Sequence, residues 1–374
     1  MPRSWSKGIL GALLLAGAVA LACSDKGTEP KPAGFNIYIA GTYWTDPYDV
    51  QSRVDQVYVV NGDGFGMVDS IRFPSPPLEA VPSPDGRWLY TWRLGWGVGS
   101  AAALSKIDLG SNQIVWTVEG TGGGTTLLKD GDLLVVRAFQ GTVSHAEVLN
   151  TKDGTVVRRL PDSLVLWYGP TSGTKVAAVA AGDSNRIRVV DVESAEMYGS
   201  YVPRLRSGGY ISSYYAVLHN DKRRVLLIGP RTVLQDSWFV VGDVLTGETL
   251  LEHELVYPFG EIAISGNGTT AVVTDPSRPL VWDSDPTLDV FNLRQMSHVW
   301  RPDSRQFRGF PGQIRFLPGD QRVVTAMPAM MGTEPLHIID VTQKEVVGAI
   351  YLSGSDTTVE AGTWTGALGV GPHL

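Results

Sequence analysis

Apolar residues recur along this chain in short alternating runs, and the runs are of two kinds that take turns. The first kind is a β-rich run ending in Asp or Asn, then a turn, then a second β-rich run. Its copies are "VYVVNGDGFGMVDSIRF" (57–73), "LSKIDLGSNQIVWTVE" (104–119), "AEVLNTKDGTVVRRL" (146–160), "IRVVDVESAEMYGSYV" (187–202), "FVVGDVLTGETLLEHEL" (239–255), "LDVFNLRQMSHVW" (288–300) and "LHIIDVTQKEVVGAIYL" (336–352). Taken as markers, Asn61, Asp108, Asn150, Asp191, Asp243, Asn292 and Asp340 follow one another at 47, 42, 41, 52, 49 and 48 residues. The second kind is a pair of β-runs about a tight turn: "EAVPSPDGRWLYTW", "TTLLKDGDLLVVRAF", "VLWYGPTSGTKVAAVAA", "YAVLHNDKRRVLLIG", "IAISGNGTTAVVT" and "IRFLPGDQRVVTAM". Its turns carry Asp-Gly, Asn-Gly, Ser-Gly, Asn-Asp and Gly-Asp, which tolerate the positive φ of a two-strand hairpin. Each period therefore predicts four short antiparallel strands, and no stretch after residue 23 carries helical periodicity.

Four strands per repeat of about 46 residues, seven times over, predict an all-β fold: a seven-bladed β-propeller of four-stranded antiparallel blades. A single blade cannot bury both of its faces, so the repeats must close into a ring. The repeats also predict how the ring closes. The body opens on "FNIYIAGTYW" (35–44), which matches the second strand of a period, so its blade lacks an inner strand. The run "VEAGTWTGALGV" (359–370) has no partner after it and fits that gap. N- and C-terminal strands are expected to share one blade.

Composition supports the β reading, because only 18% of residues are charged while Gly (43) and Pro (23) abound. "SPDGRWLY" (83–90), leading into a strand pair that ends in Asp, resembles the YVTN-type family of bacterial propeller repeats, relatives of the WD-type repeat; the likeness covers residues 35–370. "IYIAGT" (37–42) and "LYTW" (89–92) stand nearest the family's namesake tetrapeptide, and "VWDSD" (281–285) is the one WD-like match. The resemblance implies a propeller and leaves its activity open. Two segments, "IDLGSNQIVWTVEG" and "DVLTGETLLEHEL", also resemble the repeats of pyrroloquinoline-quinone dehydrogenases. That likeness implies the alternative of an enzyme of the lactonase or quinoprotein kind, with a metal or quinone in the central channel.

The N-terminus has a different character. Arg3 and Lys7 precede an uncharged run from Gly8 to Ala22, which is shorter than the ~20 residues that span a bilayer. Ala20-Leu21-Ala22-Cys23 resembles the bacterial lipobox, and Cys23 is the only cysteine in 374 residues. The expected organisation is a lipoprotein signal peptide (1–22), an acylated Cys23 with a tether (23–34), and a propeller (35–374). Losing Arg3 and Lys7 with the signal takes the net charge from −7 to −9, which argues against a nucleic-acid partner. The remaining body has no thiol for a disulfide or a Cys-based metal site. A monomer in the bacterial cell envelope is expected, held to the membrane by its lipid, with an envelope protein or ligand as partner.

Loop lengths suggest where such a partner binds. First-to-second and third-to-fourth strand turns are all short and read as structural. The long segments fall on the other face of the disc: 44–55, 93–101, 203–210, 230–237, 275–286, 301–312 and 328–335. They carry aromatic and Arg side chains of the kind enriched at recognition surfaces: Trp44, Tyr48, Arg93, Trp96, Arg204, Arg206, Trp282, Arg301, Arg305, Phe307, Arg308 and Phe310. These are the candidate binding residues, with solvation, packing or pairing to nearby Asp as the competing role.

Catalytic patterns are missing. "TGGGTTLLKDG" (121–131) lacks the Lys-Ser/Thr pair of a phosphate loop, and "SGTK" (172–175) sits in a hairpin turn. The six histidines, His145, His219, His253, His298, His337 and His373, show no ligand spacing. "NGDG" (61–64) and "DSDPTLD" (283–289) partly resemble calcium loops, with Phe65 where a ligand is needed. No catalytic residue and no cofactor is expected, calcium being the one ion with a candidate sequence.

Overall fold

The computed structural model describes residues 34–44, 53–93, 102–140, 143–160, 168–180, 183–212, 215–232, 235–255, 260–275, 287–302, 313–326, 336–350 and 363–372. Seven antiparallel sheets form a ring, a β-propeller, in which each sheet is one blade. From the axis outward, the inner strands are Thr363–Pro372 in blade 1, Val81–Pro82 in blade 2 and Thr121–Leu128 in blade 3. Blades 5, 6 and 7 begin with Tyr215–Leu218, Ile262–Ile264 and Gln313–Phe316. In blade 4 the described residues of the inner position form one bridge, Tyr168 to Ala177, beside three full strands. Pro170, with no N–H to give, ends the pairing on the turn side.

The ring closes as the strand count requires. Phe35–Trp44 pairs outward with Arg53–Asn61 and inward with Thr363–Pro372, from Phe35 opposite Pro372 to Tyr43 opposite Thr363. The last strand of the chain is thus the innermost strand of the first blade.

The seven marker residues all do one job. Each marker side-chain oxygen accepts the backbone N–H two residues on, at 2.8–3.0 Å, and all but Asn150 also accept the next one. The fourth residue after each marker has φ between 50° and 76°: Phe65, Asn112, Gly154, Ala195, Gly247, Met296 and Lys344. An Asx-type turn followed by a left-handed residue reverses the chain within a few residues and shifts the strand register there. Two glycines meet the steric preference; the other five positions accept some strain.

The core lies between blades. Seven clusters of buried residues each straddle one seam, for example Ile187, Val189 and Tyr201 of blade 4 against Val225, Leu227 and Val240 of blade 5. Burying such a side chain contributes about 1.5–3 kcal/mol. A blade taken from the ring would expose both faces.

Candidate functional site

Six blades place one polar or aromatic residue at the same register, four positions before the first-to-second strand turn: Glu79, Thr125, Tyr168, Tyr215, Glu261 and Gln313. Together they form a belt around the axis that ties blade 2 to blade 3 and blades 4, 5, 6, 7 and 1 in series. Glu79 accepts the amides of Gly124 (2.5 Å) and Thr125 (3.1 Å) from blade 3. Glu261 accepts the Ile314 amide of blade 7 at 2.9 Å, and Gln313 accepts the Leu368 amide of blade 1 at 2.6 Å. The Tyr168 and Tyr215 rings lie 4.5 Å apart, and the Tyr215 hydroxyl donates to Glu261 at 3.4 Å. Thr91 and Thr274 on the second strands fix the belt from behind, through the Glu79 carbonyl and the Glu261 amide.

Arg315 stands one strand alternation beyond Gln313, on the same side of its strand. Its Nη1 donates to Glu261 at 2.8 Å and to the Ile314 carbonyl at 2.6 Å. Burial works against the guanidinium charge, but the Glu261 carboxylate outweighs it and keeps Arg315 charged. Burial pushes the Tyr168 and Tyr215 phenols up, and the neighbouring carboxylates add to it, so both are neutral donors. Glu79 is likewise pushed above the ordinary carboxylate range by burial, against the pull of its two amides and Arg315.

On one side of this belt an axial cavity of about 800 Å³ opens. Tyr168, Tyr215, Thr125 and Arg315 form its floor, and Val81, Leu127, Val217, Ile264, Phe316 and Leu368 are among its walls. The lining continues to the first-to-second strand turns at Pro84, Asp130, Ser172, Asn220, Gly266 and Asp320. These turns are tied to one another around the mouth. Lys129 and Asp130 amides donate to the Gly173 and Thr171 carbonyls, at 2.8 and 3.0 Å. Asn220 donates to the Gly266 carbonyl at 2.8 Å, and the Asp320 carboxylate accepts the Gly266 and Asn267 amides at 2.6 and 2.8 Å. Pro372 also lines the cavity and lies opposite Phe35, so the chain meets blade 1 at this same end.

No family model and no curated protein sequence matches the chain. Solved structures do. A functionally unknown protein from Desulfotomaculum acetoxidans DSM 771 superposes with a TM-score of 0.61 at 13% identity, over 91% of this chain and 100% of that one. Hydrazine synthase of Kuenenia stuttgartiensis gives 0.54 at 13% identity, over 74% of this chain and 86% of that one. The C-terminal WD40 domain of Sif2 gives 0.53 at 12% identity, over 75% and 80%. The shared property is the propeller fold. It hosts enzymes and binding domains alike, so function must be argued from the site.

Of the twelve loop residues singled out by sequence, Tyr48, Trp96, Trp282, Arg305, Phe307, Arg308 and Phe310 lie outside the described residues, as does Cys23. Trp44 ends the first strand. Arg204 and Arg206 share the seam between blades 4 and 5, where Arg204 lies over the Tyr210 ring and the Arg206 amide donates to Glu252. Arg301 forks onto Asp289 in blade 6, and Arg93 ends a strand in blade 2. The described members therefore do not meet in one place. The carboxamide oxygen of Asn61, in the first calcium-like stretch, is committed to its own turn, and Asp289, in the second, to Arg301 and His298.

The belt was missed by motif reading, although its fixed position before each turn is visible in the sequence. The structure also gathers histidines that no spacing rule connects: His253, His298 and Asp289 offer ligand atoms within 4.8 Å of one another.

Proposed function

We propose that the chain is a lipid-anchored cell-envelope lipoprotein of YVTN-type repeats that acts as a binding module, with the axial cavity as its ligand site. The observation that carries this reading is the cavity itself. Small-molecule sites are typically 300–1,000 Å³, largely apolar, with a few placed polar groups. Here the walls are mostly apolar, and the polar groups converge on the floor. Among the described residues Arg315 makes its hydrogen bonds through Nη1, which leaves the other donors of its fork for a ligand. A small amphipathic molecule fits this arrangement, its polar end at Arg315 and the tyrosines and its apolar part along Leu127, Val217 and Phe316.

Binding is favoured over catalysis because the two belt carboxylates are engaged by backbone amides and are not set against a nucleophile.

Val217→Trp tests the site by filling it. Protein isolated from envelope membranes is examined by native mass spectrometry. Wild type is expected to carry one small-molecule adduct per chain that Val217→Trp lacks while unfolding at the same temperature. Wild type without an adduct, or the same adduct on Val217→Trp, overturns the reading.

A further inference from the structure

His253 and His298 are 45 residues apart, close to one repeat period, and the ring brings them together across the seam between blades 5 and 6. Their rings stack with centroids 4.6 Å apart and planes 7° apart. Phe291 closes the inner side, edge-on to both at 5.2 and 5.3 Å. Asp289, 1% exposed, accepts from His298 Nε2 at 2.7 Å and from Arg301 Nε and Nη2 at 2.9 Å each. His253 is different. Its Nε2 is buried and has no hydrogen-bond partner among the described residues. Another buried strand histidine, His145, is satisfied by Glu147 at 2.9 Å, and His219 by the Gly268 carbonyl at 2.7 Å. An unpaired buried imidazole nitrogen costs free energy and asks for a missing partner.

We propose that His253, Asp289 and His298 form a site for a divalent transition metal of the zinc class, with a coordination position left for water. Two imidazoles and one carboxylate are the donor set of zinc and its neighbours, whereas calcium and magnesium prefer all-oxygen sites. Bonds of 2.0–2.2 Å in a tetrahedron place ligand atoms about 3.3 Å apart, so the atoms now within 4.8 Å of one another converge once the two imidazoles turn out of their parallel stack. The metal takes the place of the hydrogen between His298 Nε2 and Asp289 Oδ1, and that hydrogen moves by way of solvent to His298 Nδ1, so the ring stays neutral and binds through Nε2. Solvent reaches the site, since the His298 side chain is 30% exposed.

Arg301 holds the site closed when no metal is bound. It occupies both oxygens of Asp289 and, with its side chain 33% exposed, has solvent to turn into when a second cation arrives. Metal and guanidinium therefore compete for one carboxylate. The site lies on outer strands and does not depend on the axial cavity or on lipid anchoring.

The test is calorimetric titration of the untagged full-length protein with Zn²⁺ alone, alongside Co²⁺ titration read by visible absorption. One ion per chain is expected, with the intense bands of low-coordinate Co²⁺. His253→Ala and His298→Ala should each weaken binding at least tenfold and abolish the bands. Arg301→Gln should bind Zn²⁺ several-fold more tightly, an outcome that a purely structural ion pair would not give and that stands if a histidine variant fails to fold. Wild type without a stoichiometric ion, binding unchanged in the His253→Ala/His298→Ala double variant, or Arg301→Gln no tighter than wild type overturns the proposal.

Discussion

A Cβ placed on Gly369 would stand 2.2 Å from the Ala80 carbonyl oxygen and 2.6 Å from Pro82 Cδ. Gly369 belongs to the last strand of the chain and Ala80 to the start of blade 2, so this contact is where the closing strand meets its neighbour. Gly371 repeats it two residues on, with Pro82 Cβ at 2.7 Å. Only a hydrogen atom fits at these places, which makes the closing seam a tight one.

Gly369→Ala should therefore destabilise the entire ring. Forcing a methyl group against backbone costs about 1–3 kcal/mol, read as a lower urea midpoint of one cooperative transition. Deleting residues 363–374 should cost more, because Ile37, Ile39 and Tyr38 lose their inner neighbour. An unchanged midpoint in Gly369→Ala would mean that the seam yields without cost.

The marker turns make opposite predictions at their two ends. Asn292 Oδ1 accepts the amides of Arg294 and Gln295, both at 2.9 Å. Asn292→Ala should cost about 1 kcal/mol, while Asn292→Asp keeps the acceptor and should be tolerated. At the other end, Lys344 has φ 63° and an exposed side chain. Left-handed backbone costs a non-glycine residue about 1–2 kcal/mol, offset in part by the greater freedom of glycine when unfolded. Lys344→Gly should gain up to about 1 kcal/mol, measured by chemical denaturation, and a loss of stability would contradict the turn geometry.

These turns explain why the ring was legible in the sequence. Asn61, Asp108, Asp191 and the other markers answer one local demand with one residue type, so they recur at blade spacing. The belt answers a demand that crosses blades. Glu79, Thr125, Tyr168, Tyr215, Glu261 and Gln313 share a register but not a chemistry, and Glu79 finds its acceptor role 45 residues away at Gly124. The same holds for His253 and His298, whose neighbourhood exists only once blades 5 and 6 pack. The short turns, read as structural, do tie the blades together at Asn220 and Asp320, but they also ring the cavity mouth.

If Cys23 carries the lipid, Cys23→Ser should release the protein from membranes without changing its unfolding midpoint, since no other thiol exists in the chain. The tether from residue 24 to 34 spans at most ~35–40 Å when extended, so the ring of the native protein should stay close to the bilayer. Fractionation of wild type and variant decides the point. A variant that remains in the membrane fraction would remove the anchor from the account while leaving the cavity untouched.

Glu79 should give the fold a measurable pH dependence. Its carboxyl sits above the ordinary carboxylate range because burial opposes the charged form more than the Gly124 and Thr125 amides and Arg315 support it. The folded state thus holds this proton more tightly than the unfolded chain does. Stability from this group is fully present at pH below the ordinary carboxylate range and is lost as pH rises through the raised folded value. Glu79→Gln keeps an acceptor for the two amides and removes the titration. Compared with that variant, wild type should lose unfolding free energy between the ordinary carboxylate range and its own higher value, then run parallel to it. Denaturant unfolding of both proteins across that range checks the slope. Parallel curves throughout would mean that the amides and Arg315 offset burial in full, leaving the Glu79 carboxyl in the ordinary carboxylate range.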